Sequence, residues 1–190
     1  EQTEEELSTW RSDSALSRVN LYPIGKPLTL SSGQCRLFHE LLFWCQTTGG
    51  AFDPAVGALV DIWGLRSGGR IPSPEEVTMA RDRSGLHHFD LGGNHCQIVR
   101  RGPVKIDAGA FGKGEALDRA LEYSQGAGLK RWLIDLGGQI MVYGLPPGQD
   151  GWQVSIAHPL SRDGAVLTLH VLSGALSVSG GSERDLEVEG

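Results

Sequence analysis

The chain has 190 residues, enough for one large domain or two small lobes, and its 39% hydrophobic and 21% charged residues are ordinary for a folded globular protein. The formal net charge of -6 argues against a nucleic-acid-binding protein, because that function needs a basic surface. No apolar run approaches the roughly 20 residues of a membrane-spanning helix. The opening, EQTEEELSTW, contains no signal peptide and reads like the middle of a longer sequence.

Helices are predicted first along the chain. Residues 2–19 hold a polar helix end and then a serine-rich loop or short helix. Over residues 32–47, Leu37, Leu41, Trp44 and Cys45 recur at helical spacing, with Ser32 as the predicted N-cap. The pattern therefore predicts a helix with these side chains on its apolar face.

Two further helices are expected before residue 85. One is predicted from about Pro54 to Trp63, with Asp53 placed to cap it and proline in its first turn. After a glycine-rich loop over residues 64–72, the capping box at residues 73–76 begins the other.

Strand-like segments dominate the rest of the sequence. HHFDL, HCQIVRR and PVKID are short β runs, and a helix is predicted from about Gly112 to Ser124. Five more strand-like segments follow, RWLIDLGG, QIMVYGL, WQVSIAHP, VLTLHVL and ALSVS. The order predicts an α+β fold with a mostly antiparallel sheet and flanking helices, helical over about residues 1–85 and sheet-rich over about residues 86–190.

The three cysteines are Cys35, Cys45 and Cys96, and they lack CxxC spacing. Cys35 and Cys45 lie in one predicted helix, ten residues apart, which is too far for a disulfide. We interpret all three as small buried or half-buried apolar residues, so they indicate no redox compartment.

The stretch DAGAFGKGEALD, from Asp107 to Asp118, is the first candidate ligand site. A strand, a turn of small residues and a helix would let backbone N–H groups approach phosphate oxygens, and Lys113 would add a positive charge. Asp107 could accept hydrogen bonds from a ribose or a ring N–H. The alternative is an ordinary strand-to-helix connection with a solvated lysine, since neither a Walker A loop nor GxGxxG is present.

Three other motifs are candidates for a structural or a ligand-binding role. Residues 50–54, GAFDP, form either a helix start or a backbone edge beside a planar ring. Trp10, next to several serines, either stacks on a ring or anchors the core. The Gly137-Gly138 pair after a predicted strand favours a structural turn.

In this order, LSTWRSDSALSRVN, GGAFDPAVGALVDIWGL, VKIDAGAFGKGEALD, LIDLGGQIMVYG and ALSVSGG resemble the FAD:protein FMN transferases of the ApbE type. The resemblance extends from about Leu7 to Gly181, and five ordered blocks are more specific than any one of them. It implies a T-fold-related architecture and an enzyme that binds FAD with Mg²⁺. Such an enzyme breaks the pyrophosphate and transfers FMN to a Thr or Ser hydroxyl of an acceptor protein, whereas some members hydrolyse FAD to FMN and AMP.

The resemblance also implies a set of site residues. The residues that match FAD contacts are Trp10, Asn20, Ala51, Phe52, Asp53, Asp107, Lys113 and Leu172, of which Leu172 is the weaker match. Ala110 matches a residue whose backbone carbonyl binds the metal. No catalytic base is assigned. The family's location implies the periplasm or the outer face of the bacterial cytoplasmic membrane, with a lipid anchor as one option.

The sequence departs from the family pattern at both ends. Family members continue past the last block to a segment whose Asp and Thr complete the metal site, whereas this sequence ends SGGSERDLEVEG. The N-terminal Met-Gly-Thr strand of the family is also missing. We therefore expect one ApbE-like domain over residues 1–190 that is incomplete at both ends. Three functions stay open: FMN transfer, FAD hydrolysis, and FAD binding without catalysis.

Overall fold

A computed structural model describes residues 2–9, 11–92 and 96–179, without the side chains of Gln2, Arg162 and Asp163. Trp10 therefore lies outside the described residues, and its predicted contact with FAD stays a prediction. The described chain forms two compact units, and the division falls between Phe111 and Gly112. We refer to them as unit 1 and unit 2.

Unit 1 joins helices to a small antiparallel sheet. Its helices are α1 (Gln2–Leu7), α2 (Ala15–Leu21), α3 (Ser32–Thr47), α4 (Gly57–Ile62) and α5 (Pro74–Asp82). Its strands are β1 (Pro27–Thr29), β2 (Phe89–Gly92) and β3 (Gln97–Arg100), in the order β1-β3-β2. Single 3₁₀ turns cover Leu86–His88 and Ala108–Ala110.

Helix α3 provides one wall of the unit 1 core. Its buried side chains Cys35, Leu37, Phe38 and Leu41 pack in one apolar cluster with residues of β1, β3 and the segment over residues 104–106. Burial of such a face is what stabilises an amphipathic helix in a folded protein. Trp44, which the spacing placed on this face, is instead 50% exposed.

The start of α3 differs from the prediction by one residue. The N-cap is Ser31 and not Ser32, because the Ser31 hydroxyl accepts from the Gln34 N–H while the Gln34 side chain accepts from the Ser31 N–H. This reciprocal capping box needs a glutamine or glutamate three residues after the cap. Ser32 has Cys35 at that position. The box predicted at residues 73–76 is confirmed, since Ser73 and Glu76 cap α5 in the same way.

The cysteine interpretation was wrong in one respect, because Cys35 and Cys96 form a disulfide. Strand β1 pairs with β3, and the Leu30 N–H donates to the Cys96 carbonyl at 2.8 Å. This pairing brings the first turn of α3 next to the residue that precedes β3, with 5.4 Å between the two Cα atoms. The bond therefore joins segments that are 61 residues apart in sequence.

Unit 2 is built from one helix and antiparallel strands. Helix α6 (Gly112–Gly126) precedes β4 (Trp132–Asp135), β5 (Gln139–Tyr143), β6 (Trp152–His158), β7 (Ser161–Val171) and β8 (Gly174–Ser177). The sheet order is β4-β5-β8, and β6 pairs with β7 as a separate ribbon. Helix α6 packs on β5, with Leu117, Met141 and Val142 buried. The predicted α+β class with antiparallel sheets is confirmed.

No helix within residues 2–9, 11–92 and 96–179 is both long enough and apolar enough to span a membrane.

Candidate functional site

The segment at residues 103–107 is the structural centre of the site in unit 1. It was predicted to be a strand, but it belongs to no sheet. Val104 and Ile106 are fully buried in the core. The Asn20 side-chain amide donates to the Ile106 carbonyl at 2.8 Å, and the Ile106 N–H donates to Asn20 Oδ1 at 2.8 Å. A single side chain thus takes the place that a neighbouring strand would occupy.

The loop before α4 holds the other edge of this segment. The Asp107 N–H donates to the Pro54 carbonyl at 2.8 Å, and the Gly57 N–H donates to the Lys105 carbonyl at 2.9 Å. These bonds hold residues 54–56 in place, so α4 begins at Gly57 and the predicted start at Pro54 was wrong. The blocks LSTWRSDSALSRVN, GGAFDPAVGALVDIWGL and VKIDAGAFGKGEALD therefore meet here, through Asn20, Pro54 and Asp107.

Asp53 organises this loop, although it does not cap a helix as predicted. Its carboxylate accepts from the Ala55 N–H at 2.8 Å and from the Leu86 N–H at 3.0 Å. The Cys45 thiol also donates to Asp53, with 3.8 Å between sulfur and oxygen. Burial raises the pKa of Cys45, and the charge of Asp53 raises it further. The thiol is therefore protonated at neutral pH and remains a hydrogen-bond donor.

The carboxylate of Asp107 has two partners. Its Oδ1 accepts from the Gly109 N–H at 2.8 Å, which caps the 3₁₀ turn Ala108–Ala110, and its Oδ2 forms an ion pair with Arg66. The Asp107 side chain is only 14% exposed. Both oxygens therefore have a protein partner at the place where the resemblance implies a contact with FAD.

A cleft of about 240 Å³ opens beside this segment. We call it the Asn20 cleft. Its lining carries hydroxyl, amide and charged side chains, and it consists of Thr9, Ser12, Ser17, Asn20, Leu21, Gly57, Asp61, Arg66, Lys105 and Ile106. Lys105 Nζ donates to Asp61 at 2.6 Å. The cleft therefore combines hydroxyl and amide groups with two cations, each of which is paired with a carboxylate, a combination that suits a polar ligand.

Sequence reasoning missed the charged residues of the Asn20 cleft. Arg66 lies in the glycine-rich loop after α4, where no periodicity or motif marks it. Lys105 alternates with the buried residues Val104 and Ile106, and Asp61 is an exposed residue of α4, so both look like ordinary solvated charges. Only the tertiary structure places these three side chains together around Asn20.

The remaining predicted contacts of unit 1 occupy different environments. Phe52 is half-buried and packs against the apolar cluster, and its N–H donates to Thr48 Oγ1 at 3.0 Å. Ala51 is exposed. The contacts of Ala51 and Phe52 with FAD therefore stay predictions.

Unit 2 contains a second group of motif residues at the start of α6. Lys113 Nζ donates to the Gly137 carbonyl at 2.8 Å. The turn that carries this carbonyl is closed by the Gly138 N–H, which donates to Asp135 Oδ1 at 2.9 Å. The Val178 N–H donates to the Gly138 carbonyl at 2.9 Å. The blocks VKIDAGAFGKGEALD, LIDLGGQIMVYG and ALSVSGG therefore meet here.

The glycine pair in this turn is required by its backbone. Gly137 has φ 62° and Gly138 has φ 84°, both in the left-handed region that residues with a side chain rarely adopt. The predicted structural turn is therefore confirmed. The turn also aims a carbonyl at Lys113, which keeps this ammonium group at the positive end of α6.

Leu172 lies elsewhere in unit 2. It follows β7 and precedes Gly174, which pairs with Val142, whereas Gln139 and the glycine turn lie at the opposite end of the same ladder. Its side chain is 61% exposed. The described structure of unit 2 therefore does not bring Leu172 to Lys113, and its contact with FAD stays a prediction.

The described residues do not by themselves assemble a magnesium site. Mg²⁺ favours about six oxygen ligands in octahedral geometry. Ala110 is exposed in its 3₁₀ turn, and the nearest predicted carboxylate, Asp107, already binds Arg66 and the Gly109 N–H. Within the described ranges, no three His, Cys, Asp or Glu side chains are grouped so that they could hold an ion. The metal role of Ala110 stays a prediction, and we derive no chemical step through the ion.

Replacement of Gly57 by alanine is expected to destabilise the protein by about 1–3 kcal/mol, the usual cost of overpacking. An added Cβ would lie 2.7 Å from the Lys105 Cβ and 3.0 Å from the Lys105 carbonyl oxygen. Urea unfolding measures the loss. Gly33→Ala in α3 is the matched control, because its Cβ would meet no atom within 4 Å. Equal stability of the two variants would contradict the close approach.

The whole sequence, residues 1–190, matches the ApbE family. It is 29% identical over 163 residues to the FAD:protein FMN transferase of Vibrio cholerae, a match that covers 84% of this chain and 48% of that protein. The FAD:protein FMN transferase of Salmonella typhimurium is also 29% identical, over 191 residues, with 97% of this chain and 55% of that protein covered. The chain thus spans about half the length of these relatives.

Solved structures of this family have the same fold. The ApbE protein of Thermotoga maritima superimposes with a TM-score of 0.89 and 26% identity, covering 96% of this chain and 60% of that one. The flavin transferase ApbE of Vibrio cholerae superimposes with a TM-score of 0.83 and 26% identity, covering 97% of this chain and 60% of that one. The family resemblance carried by the five sequence blocks is confirmed, and the chain belongs to the ApbE family.

Proposed function

We propose that this protein transfers FMN from FAD to a Thr or Ser hydroxyl of an acceptor protein, in a reaction that depends on Mg²⁺. The observation that carries the proposal is the family match over the whole sequence, together with relatives that are named FAD:protein FMN transferases. The meeting of the motif residues within each unit supports it, since residues far apart in sequence are held together by specific hydrogen bonds.

The proposed reaction replaces the phosphoanhydride linkage of FAD with a phosphoester linkage to the acceptor. The bond between the phosphorus of the FMN half and the bridging oxygen of the pyrophosphate breaks, and AMP leaves with that oxygen. The acceptor hydroxyl oxygen bonds to the phosphorus of FMN and loses its proton to a base that we do not assign. Negative charge grows on the bridging oxygen as the bond breaks, so nearby positive charge accelerates the step.

Lys113 is the residue of unit 2 that suits this need. Its ammonium group is a compact charge with three donors, of which one is directed at the Gly137 carbonyl. The N–H groups in the first turn of α6 have no acceptor within the helix and add a partial positive charge. We propose that Lys113 and this helix end bind a phosphate of FAD.

The main experiment incubates the full chain with FAD, Mg²⁺ and a candidate acceptor domain. Transfer predicts an acceptor that carries covalent flavin fluorescence on a denaturing gel and gains the mass of FMN less one water, with release of AMP. EDTA should abolish the labelling, and FMN in place of FAD should give none. Release of AMP and free FMN without acceptor would instead identify an FAD pyrophosphatase. Bound FAD that stays intact would leave only a binding function.

Lys113→Ala is expected to weaken FAD binding by about 1–3 kcal/mol, the scale of a lost hydrogen bond to a charged group. Titration of the full chain with FAD, followed by quenching of flavin fluorescence, measures the change. Lys130→Ala is the matched control, because it removes the same charge from an exposed position of unit 2. If both variants bound FAD like the parent protein, Lys113 would have no place in the site.

We also propose that the protein works in the periplasm or on the outer face of the cytoplasmic membrane. The Cys35–Cys96 disulfide supports this, because such bonds persist in oxidising compartments and are rare in the cytosol. Peptide mass spectrometry without reduction, on membrane, periplasmic and cytosolic fractions of the native host, tests it. Recovery of the protein with free thiols in the cytosolic fraction alone would contradict the proposal.

A further inference from the structure

Arg66 reaches the predicted FAD-binding region from a loop that is closed by its own backbone. The Gly69 N–H donates to the Gly64 carbonyl at 2.9 Å, and the Arg70 N–H donates to the Trp63 carbonyl at 2.9 Å. Gly64 has φ 61°, which permits this tight return. Arg66 therefore projects from a loop whose two ends are held together, which limits the positions that its guanidinium group can take.

The ion pair of Arg66 continues into the turn that precedes α6. Arg66 binds Asp107 Oδ2, and Asp107 Oδ1 accepts from the Gly109 N–H at 2.8 Å. The Gly109 N–H belongs to the 3₁₀ turn Ala108–Ala110, which the Phe111 N–H closes by donating to the Ala108 carbonyl at 3.2 Å. Both oxygens belong to one carboxylate, so the contact with Arg66 and the contact with the Gly109 N–H depend on the same orientation of the Asp107 side chain.

The Asp107 carboxylate lies close against this turn. A Cβ on Gly109 would lie 2.7 Å from Asp107 Oδ1, so the carboxylate is seated directly against the turn. Arg66 also lines the Asn20 cleft, while Asp107 is mostly buried. The Arg66 guanidinium group at the cleft is therefore connected, through the Asp107 carboxylate, to the backbone of residues 108–110.

We propose that Arg66 is a positioning residue for the ligand site: it holds the Asp107 carboxylate, which in turn holds the turn over residues 108–110. Without Arg66, the Asp107 side chain would be free to rotate towards solvent, and the Gly109 N–H would lose a fixed acceptor. The part of this inference that concerns FAD rests on the proposed function. The part that concerns the turn does not need a ligand.

The first test is made without ligand, on the full chain. Hydrogen exchange of the amides at residues 109–111 should become faster in Arg66→Ala than in the parent protein, and Arg66→Lys should restore part of the protection. Arg70→Ala is the matched control from the same loop. Arg70 pairs with Glu76 instead and, through this hydrogen bond, lowers the pKa of Glu76 to about 2. Unchanged exchange in Arg66→Ala would overturn the inference.

The second test measures FAD affinity of the same variants by fluorescence quenching. We expect the dissociation constant to rise about tenfold in Arg66→Ala and less in Arg66→Lys, which keeps the charge but not the planar donor group. Weaker binding with unchanged exchange would mean direct ligand contact, which overturns a positioning role. Faster exchange with unchanged affinity would overturn the connection to the ligand. A parent protein that does not bind FAD would refute the proposed function, while the exchange data would still decide the role of Arg66.

Discussion

Loss of the Cys35–Cys96 disulfide is expected to lower the free energy of unfolding by about 4 kcal/mol. The bond joins residues 61 positions apart, and closing a loop of that size removes conformational entropy from the unfolded chain on this scale. Since the total stability of a domain is only about 5–15 kcal/mol, the reduced protein would lose a large part of it. Urea unfolding with and without a reductant measures the difference.

The control for this experiment is the third cysteine. Cys45→Ser keeps a hydroxyl that can donate to Asp53, so the variant should show the same loss on reduction as the parent protein. The double variant Cys35→Ser/Cys96→Ser should have low stability that the reductant no longer changes. A parent protein whose urea midpoint does not respond to reduction would show that the bond is absent or contributes nothing.

Asn20→Ala is expected to cost about 2–4 kcal/mol of stability. The change removes both 2.8 Å hydrogen bonds to the backbone of Ile106 and leaves an N–H and a carbonyl group without their partner in a buried segment. An unpaired buried polar group costs roughly 1–3 kcal/mol, and water from the Asn20 cleft would offset part of this loss. Urea unfolding again gives the magnitude.

Asn20→Asp separates the two bonds. The aspartate can still accept from the Ile106 N–H, but it replaces the donor to the Ile106 carbonyl with a negatively charged oxygen. Its stability should therefore be no better than that of the alanine variant, although its size is that of the native side chain. An aspartate variant as stable as the parent would contradict the two-bond arrangement and point to a role for Asn20 in packing alone.

Local signals along the sequence identified much of the fold. The capping box at Ser73 and Glu76 was predicted correctly because it depends only on residues three positions apart. Helix α6 and the strands of unit 2 follow from apolar periodicity and from the glycines between them. The order of these elements was sufficient to predict the α+β class.

Features that depend on distant partners could not be predicted in this way. Pro54 and Ala55 look like the first turn of a helix, but their carbonyls accept from Asp107 and Gly85, and these bonds delay the start of α4. The apolar pattern of residues 103–107 resembles a strand, yet its partners are a side chain and an irregular loop. The pairing of Cys35 with Cys96 requires the β1–β3 register, which no local pattern specifies.

In the candidate site, too, local sequence patterns predicted some residues and missed those that depend on distant partners. The five blocks identified the family and the residues that meet in each unit, such as Asn20 and Lys113. They gave no indication of Arg66, because one arginine in a glycine-rich loop has no pattern that distinguishes it from a solvated charge. Its importance arises from the ion pair with Asp107, 41 residues away.

The bond between Asn20 and Ile106 also has a consequence for the order of folding. These residues are 86 positions apart. Strand β1 pairs with β3, which follows it in the chain by about 70 residues, so this pair also forms only after a long segment has been made. In unit 2, by contrast, β4 pairs with β5 and β6 pairs with β7, each across a short connection. Contacts between near neighbours form faster than contacts between distant residues. During synthesis, unit 1 therefore cannot complete its core until the chain has been made past Ile106, whereas the β4–β5 and β6–β7 pairs of unit 2 can form soon after their own residues have been made.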